Sequence, residues 1–189
     1  LGILSVLFGS NRLKKAKREQ YFSVITAGIS LQGRMDIRLM DGAGLVFNPV
    51  ESSFFAELDS EIRSLLEISE KSTGTKFDVV DDDFGTKWVI LHDPDFEDLV
   101  TTIHVVGETI TEHGYGDRLL AAVFRVEFGN RPAYWIYNIK RGNFYPMVLK
   151  GEKERDNASE MRLGSLMEDE HMPVEKNLEQ WYALWGIPF

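Results

Sequence analysis

Apolar residues recur along the chain with two different periods, and the switches between them mark out its elements. An apolar start at Leu1, Ile3, Leu4, Leu7 and Phe8 is interrupted by Gly9-Ser10-Asn11. A helical period resumes over 17–31, with Tyr21, Phe22, Ile25 and Ile29 on one stripe. Met35, Ile37 and Leu39 then alternate, Asp41-Gly42 is a turn pair, and Leu45 and Phe47 alternate on the return, which predicts a hairpin. A second helix is expected over 53–70, with Phe54, Phe55, Leu58, Ile62, Leu65 and Leu66 on one face and Ser52 or Ser53 as its cap. Strands at 76–82 and 86–92 flank an Asp-Phe-Gly turn. Asp95 should cap a third helix over 96–113, which Gly114 and Gly116 end.

A meander follows at 118–128, 133–140 and 144–149, turned by Gly129-Asn130-Arg131-Pro132 and by Arg141-Gly142-Asn143. Its middle strand holds Tyr134, Trp135 and Tyr137 and alternates poorly, as a strand covered on both faces would. Asn157 with Glu160 resembles an N-cap pair for a helix to about 168. Behind Pro173, the residues Val174, Leu178, Trp181 and Trp185 fall at helical spacing. They predict a last, aromatic helix over 173–186, stopped by Gly186 and Pro188.

Strands joined by short turns pair antiparallel, so the expected class is α+β. The sheet is built from hairpins and a C-terminal meander, with helices packed mainly on one face. Residues 1–18 read as an apolar and basic N-terminal segment. Residues 19–189 read as one domain that includes the C-terminal aromatic helix. The chain has no Cys, which excludes a disulfide framework and thiolate metal sites.

Charge divides the chain more sharply than composition does. Residues 1–50 hold seven Lys/Arg against three Asp/Glu, a balance of +4. Residues 51–117 hold four against seventeen, a balance of −13, and residues 118–189 are neutral at ten against ten. An acidic middle argues against wrapping a nucleic-acid backbone. The basic run Arg12, Lys14, Lys15, Lys17 and Arg18 could face an anionic membrane surface. No apolar run reaches the roughly 18 residues a spanning helix needs, and the charges follow the apolar start rather than precede it. A cytoplasmic protein, possible peripheral contact with the inner membrane face included, is the expectation.

Motifs for chemistry are sparse. His104 and His113 are nine residues apart and cannot share one face of a helix. Asp81, Asp82, Asp83, His92, Asp93 and Asp95 could form an oxygen-rich cation site, which would open a metal-dependent hydrolase reading; a solvated hairpin end plus a helix cap accounts for the same residues. Glu112-His113 lacks the second His of a zinc-protease helix, and no phosphate loop or nucleophile elbow occurs. No catalytic residue, metal ligand or cofactor site is assigned. Lys140-Arg141-Gly142-Asn143 offers charge and a glycine turn to an anion, or is simply a hairpin turn with Gly142 at positive φ. The partner-binding candidates are Leu4, Leu7 and Phe8 in the N-terminal stripe, Lys140 and Arg141 at the turn, and the aromatics Phe144, Tyr145, Trp181 and Trp185.

The last fifty residues carry a resemblance. Lys140-Arg141-Gly142 with Phe144-Tyr145-Pro146, then Arg155-Asp156-Asn157, Pro173-Val174-Glu175 and a Trp181, Trp185, Gly186, Pro188 run resemble the PspAB family. Those proteins accompany phage-shock-protein systems in archaea and actinobacteria. The apolar opening at 2–9, the segment 44–51 and the acidic-to-Trp88 spacing at 82–89 fit it as well. The resemblance implies envelope-stress physiology and association with a PspA-type coiled-coil protein, beside an HtpX-like membrane protease. It implies no catalytic residues. The expected function is therefore a non-catalytic adaptor. The alternative is a chaperone-like domain that holds an amphipathic segment, suggested by an element order that looks like the helix-on-sheet chaperones of type III secretion.

Overall fold

The computed structural model describes the backbone of residues 3–34, 36–50 and 53–189, and the side chains of 17–33, 36–50 and 56–189. The stripe of Leu4, Leu7 and Phe8, the basic residues Arg12, Lys14 and Lys15, and Phe54 and Phe55 lie outside the described side chains. The elements run α1 (Ile3–Arg34), β1 (Ile37–Phe47), α2 (Ser53–Thr73), β2 (Lys76–Asp81), β3 (Lys87–His92), α3 (Phe96–Ile110), β4 (Leu119–Phe128), β5 (Arg131–Asn138), β6 (Asn143–Gly151), β7 (Glu154–Arg155) and α4 (Asn157–Asp169). Seven strands form one antiparallel sheet in the order β2-β3-β1-β4-β5-β6-β7. The α+β class is as the sequence predicts.

Two local expectations are not met. Asp41-Gly42 is not a turn: β1 runs unbroken through it and pairs with β3 on one side and β4 on the other. Between the pairs Leu39–Val126 and Ala43–Phe124, β1 spends Met40, Asp41 and Gly42 where β4 spends only Arg125, which makes a bulge. Gly9-Ser10-Asn11 does not break α1, whose backbone is helical from Ile3. A Gly costs a helix about 1 kcal/mol, which lowers its stability without ending it.

β3 and β4 are both antiparallel to β1, so they run parallel to one another, and α3 joins them across β1. Asp95 caps α3 by accepting from the Glu97 amide at 2.9 Å. Buried Tyr21, Val24, Ala27 and Leu31 of α1 meet Phe96, Leu99, Val100, Ile103 and Val106 of α3 over the sheet. The Tyr21 hydroxyl donates to the Val100 carbonyl at 2.9 Å, and Phe96 stands edge-on to Phe124 and Trp135. The helices therefore share one face, that of Phe124, Trp135 and Pro146, which pair across β4, β5 and β6.

The opposite face is also buried. Val46, Trp88, Val123, Tyr134, Ile136, Tyr145 and Met147 point to it, all nearly inaccessible to solvent. What covers it is the C-terminal segment, and here the predicted aromatic helix over 173–186 is not formed. Only Leu178–Gln180 makes a helical turn, of 3-10 type, and the chain beyond Trp181 crosses the sheet as an irregular strap. The Leu184 amide meets the Met147 sulfur at 3.4 Å, and the Phe189 ring sits against Trp88 and Tyr134. Gly42 and Gly44 floor its seat: a Cβ at Gly44 would lie 2.5 Å from the Phe189 ring, and one at Gly42 2.9 Å from it. Helical spacing of Val174, Leu178, Trp181 and Trp185 thus coincides with a different solution, in which Val174 and Trp181 are buried at separate sites and Leu178 is exposed.

Candidate partner-binding surface

The motifs at 140–146, 155–157 and 173–175, together with Trp181 from the last one, are separated in sequence but meet at one end of the sheet. Pro173–Glu175 lies extended beside β6, where the Phe144 amide donates to the Pro173 carbonyl and the Glu175 amide to the Phe144 carbonyl, each at 2.8 Å. Pro173 thus opens an extended edge rather than a helix. Glu175 is buried and accepts from the Arg141 guanidinium, the Asn177 amide at 3.0 Å and Asn143 at 3.4 Å. The Arg141 hydrogen bond is the largest reason its pKa falls from 4.5 to about 2, and the Asn177 amide is the next.

A second acid–arginine pair lies deeper. Glu160 is only 2% exposed and takes both Nε and Nη2 of Arg155, at 2.8 and 2.9 Å, as well as the Val148 amide at 3.0 Å. Arg155 spends its remaining nitrogen on the Trp181 carbonyl at 2.7 Å. Glu160 therefore faces inward, and the helix cap falls to Asp156, which accepts from the Ser159 amide at 3.1 Å, one residue before the Asn157 expected. The Trp181 indole donates to the Glu175 carbonyl at 3.0 Å, and its ring lies over Gly164 of α4, where a Cβ would come within 2.8 Å. A buried charge pair broken on one side costs several kcal/mol, so these contacts fix where the strap leaves the edge of the sheet.

This geometry divides the predicted partner-binding residues. Phe144, Tyr145 and Trp181 are interior side chains of the isolated chain, packed by β5, α4 and the 173–175 edge. Trp185 is half-buried on the strap. Lys140 is exposed, and Arg141 is partly exposed while bonded to Glu175. Leu4, Leu7 and Phe8 lie outside the described side chains. Gly142 takes φ of 75°, so the glycine turn expected at 140–143 is present. The Lys17 side chain lies against that turn, which places Lys17 of α1 and the turn that carries Lys140 at one corner of the molecule.

The acidic residues of the middle segment do separate tasks. Asp82 closes the β2–β3 turn by accepting from the Phe84 and Thr86 amides, the Thr86 hydroxyl and the Trp88 indole. Desolvation raises its pKa most, but those hydrogen bonds together outweigh it and leave it lowered. Asp93 is buried and holds the Thr75 hydroxyl at 2.6 Å. His92 sits at the far end of β3 from Asp82, six strand residues or about 20 Å away. The cation cluster of Asp81–Asp83 with His92 is therefore not assembled, and among the described residues no group of three metal-ligating side chains is. His104 instead packs on Tyr21 and Phe22, and burial lowers its pKa. His113 bonds to the Thr109 carbonyl and Glu61. Among the described residues, no helix is long and apolar enough to cross a membrane.

What sequence reasoning missed is the glycine seat. Gly42 and Gly44 point to the same face of one strand, and that spacing is a signal of close approach by another group.

A family model described as PspA associated protein B matches residues 1–189, the whole chain. No curated protein and no solved structure matches it.

Proposed function

The chain belongs to the PspA-associated protein B family, and from that premise we propose that it is a non-catalytic adaptor that binds a PspA-type coiled-coil protein directly. The family, matched over the whole chain, is the observation that carries this reading. The contact surface we assign is the basic corner where Lys17 lies against the turn that carries Lys140, continued by the α1 backbone toward its N-terminus. Three features support that choice. The corner is exposed, its turn is braced from beneath by the Arg141–Glu175 pair, and its charge is opposite to that of the acidic middle segment. A helical partner with an acidic and apolar face fits such a surface. An open apolar groove beside Trp181 would favour the adaptor and the chaperone-like readings alike, and Trp181 is buried in the isolated chain, so the family carries the choice between them.

Co-purification of the full chain with its PspA-type protein tests the reading. A stable complex is expected, weakened at least about tenfold (1.4 kcal/mol) by Lys140→Glu or by removal of residues 1–11, and weakened by salt. Failure to form a complex at micromolar concentrations would overturn direct binding. A complex indifferent to both changes would move the contact away from this corner.

A further inference from the structure

The two edges of the sheet are finished differently. At the β6 end, β7 and the extended residues 173–175 occupy the edge. At the other end, β2 pairs with β3 and, among the described residues, with nothing else. The direction of its open groups follows from the turn. The Asp82 amide donates inward to the Thr86 carbonyl, so alternation along the strand turns the peptide groups of Val80, Asp78 and Lys76 toward β3 and those of Phe77, Val79 and Asp81 outward. Two apolar side chains around this edge are largely exposed: Ile68 on α2 at 67%, and Phe84 at the turn at 71% although Gly186 of the strap approaches one edge of its ring. Val79 and Val80 are only partly covered.

An open edge is a template for another strand, and its chemistry selects which strand. Asp78, Asp81 and Asp83 line β2 and its turn, within the segment that carries −13. Of the basic side chains there, Lys76 is held by Glu70 at 2.5 Å and Lys87 by Asp59 and Asp81. A second copy of this chain would bring an equally acidic edge against the first. Like charges placed opposite one another destabilise strand pairs, so self-pairing is disfavoured. We propose that the β2 edge is a docking site for an extended, basic segment of another protein, alternating Lys or Arg with apolar residues. Its backbone would pair with Phe77, Val79 and Asp81. Its cations would meet Asp78 on one face, and its apolar side chains would cover Ile68 of α2 on the other. This surface is on the opposite edge of the sheet from the basic corner and does not depend on the family-based reading.

The test uses the full chain and a labelled seven-residue peptide alternating Lys with Val. Val79→Pro removes an outward N–H without touching the β3 ladder, a replacement that edge strands tolerate. Binding is expected to fall at least tenfold in this variant and in Asp78→Lys, and a peptide alternating Glu with Val should not bind. Hydrogen exchange at the Phe77, Val79 and Asp81 amides should slow when the Lys–Val peptide is present. A peptide N-methylated on one edge should bind at least tenfold more weakly than its parent, which keeps the test decisive if Val79→Pro does not fold. Equal binding of both peptides, or binding with no protection of those three amides, would overturn the proposal. So would a dimer of the free chain that Val79→Pro dissociates, because the edge would then already belong to a second copy.

Discussion

At the scale of single residues, the glycine seat and the buried acids give the sharpest expectations. Gly44→Ala would push a Cβ into the Phe189 ring at 2.5 Å, and overpacking of this kind costs about 1–3 kcal/mol. The cost should fall in a Phe189→Ala background, which leaves only the Trp88 ring 3.0 Å from the new Cβ. Chemical denaturation of the two single variants and the double variant measures that coupling, and additive losses would show that the ring is not what the glycine accommodates. Glu175 predicts the acid limb of stability. Its pKa is depressed from 4.5 to about 2, so the stability it contributes is fully present above pH 4.5 and is lost as pH falls through that window toward 2. Urea melts between pH 7 and pH 2.5 should show a flatter acid limb for Glu175→Gln than for the parent. Parallel limbs would deny Glu175 that role.

At the scale of elements, the strap is held unevenly along its length. Up to Trp181 it is bonded to β6 and to Arg155, and beyond Trp181 its holds include the Met147 contact, the approach of Gly186 to Phe84, the Phe189 seat and the Tyr134 hydroxyl at 3.4 Å from the Phe189 carbonyl. Removing residues 182–189 should leave a folded protein with a lower melting temperature that binds an apolar dye. A chain ending at Met172 should be insoluble or partly unfolded, because it also loses the 173–175 edge and the Trp181 ring. Trp181→Ala alone should cost about 3–5 kcal/mol. A cooperative melt of the shorter chain at the parent temperature would sink this account. The contrast also explains what could be read in advance. Helices α2, α3 and α4, the β2–β3 hairpin and the meander announce themselves because their periods and turn residues are local. Tyr134, Trp135 and Tyr137 alternate poorly because both faces are in fact covered. The bulge at Met40–Gly42 and the strap were not legible, since each is decided by a partner far away in sequence: Arg125 and Phe189 for the first, Gly164 and Met147 for the second. Of the candidate surface, the Gly142 turn was legible locally. The burial of Phe144 and Tyr145 depends on 173–175, α4 and the strap.

Across the whole molecule, charge is polarised over the sheet: the basic corner lies by the β5–β6 turn and the acidic edge at β2. Any contact with an anionic surface should therefore be oriented, with residues 51–117 turned away from it. Co-sedimentation with vesicles of anionic and of neutral lipid measures this. Binding is expected only to the anionic vesicles, with each basic residue near the surface worth up to about 1 kcal/mol and the effect falling with salt. Equal recovery with neutral lipid would remove the electrostatic orientation. The distance in sequence between Gly44 and the ring it seats has a further consequence, for the order in which the protein is made. A ribosome adds about 5–20 residues per second, so roughly 7–30 s separate the emergence of that strand from that of its cover. During this interval the sheet can pair through β6 while one whole face stays bare, a surface that nascent-chain chaperones recognise. A product terminated before the strap would keep that face bare and so mark itself for proteolysis, while a product that includes the strap withdraws the mark.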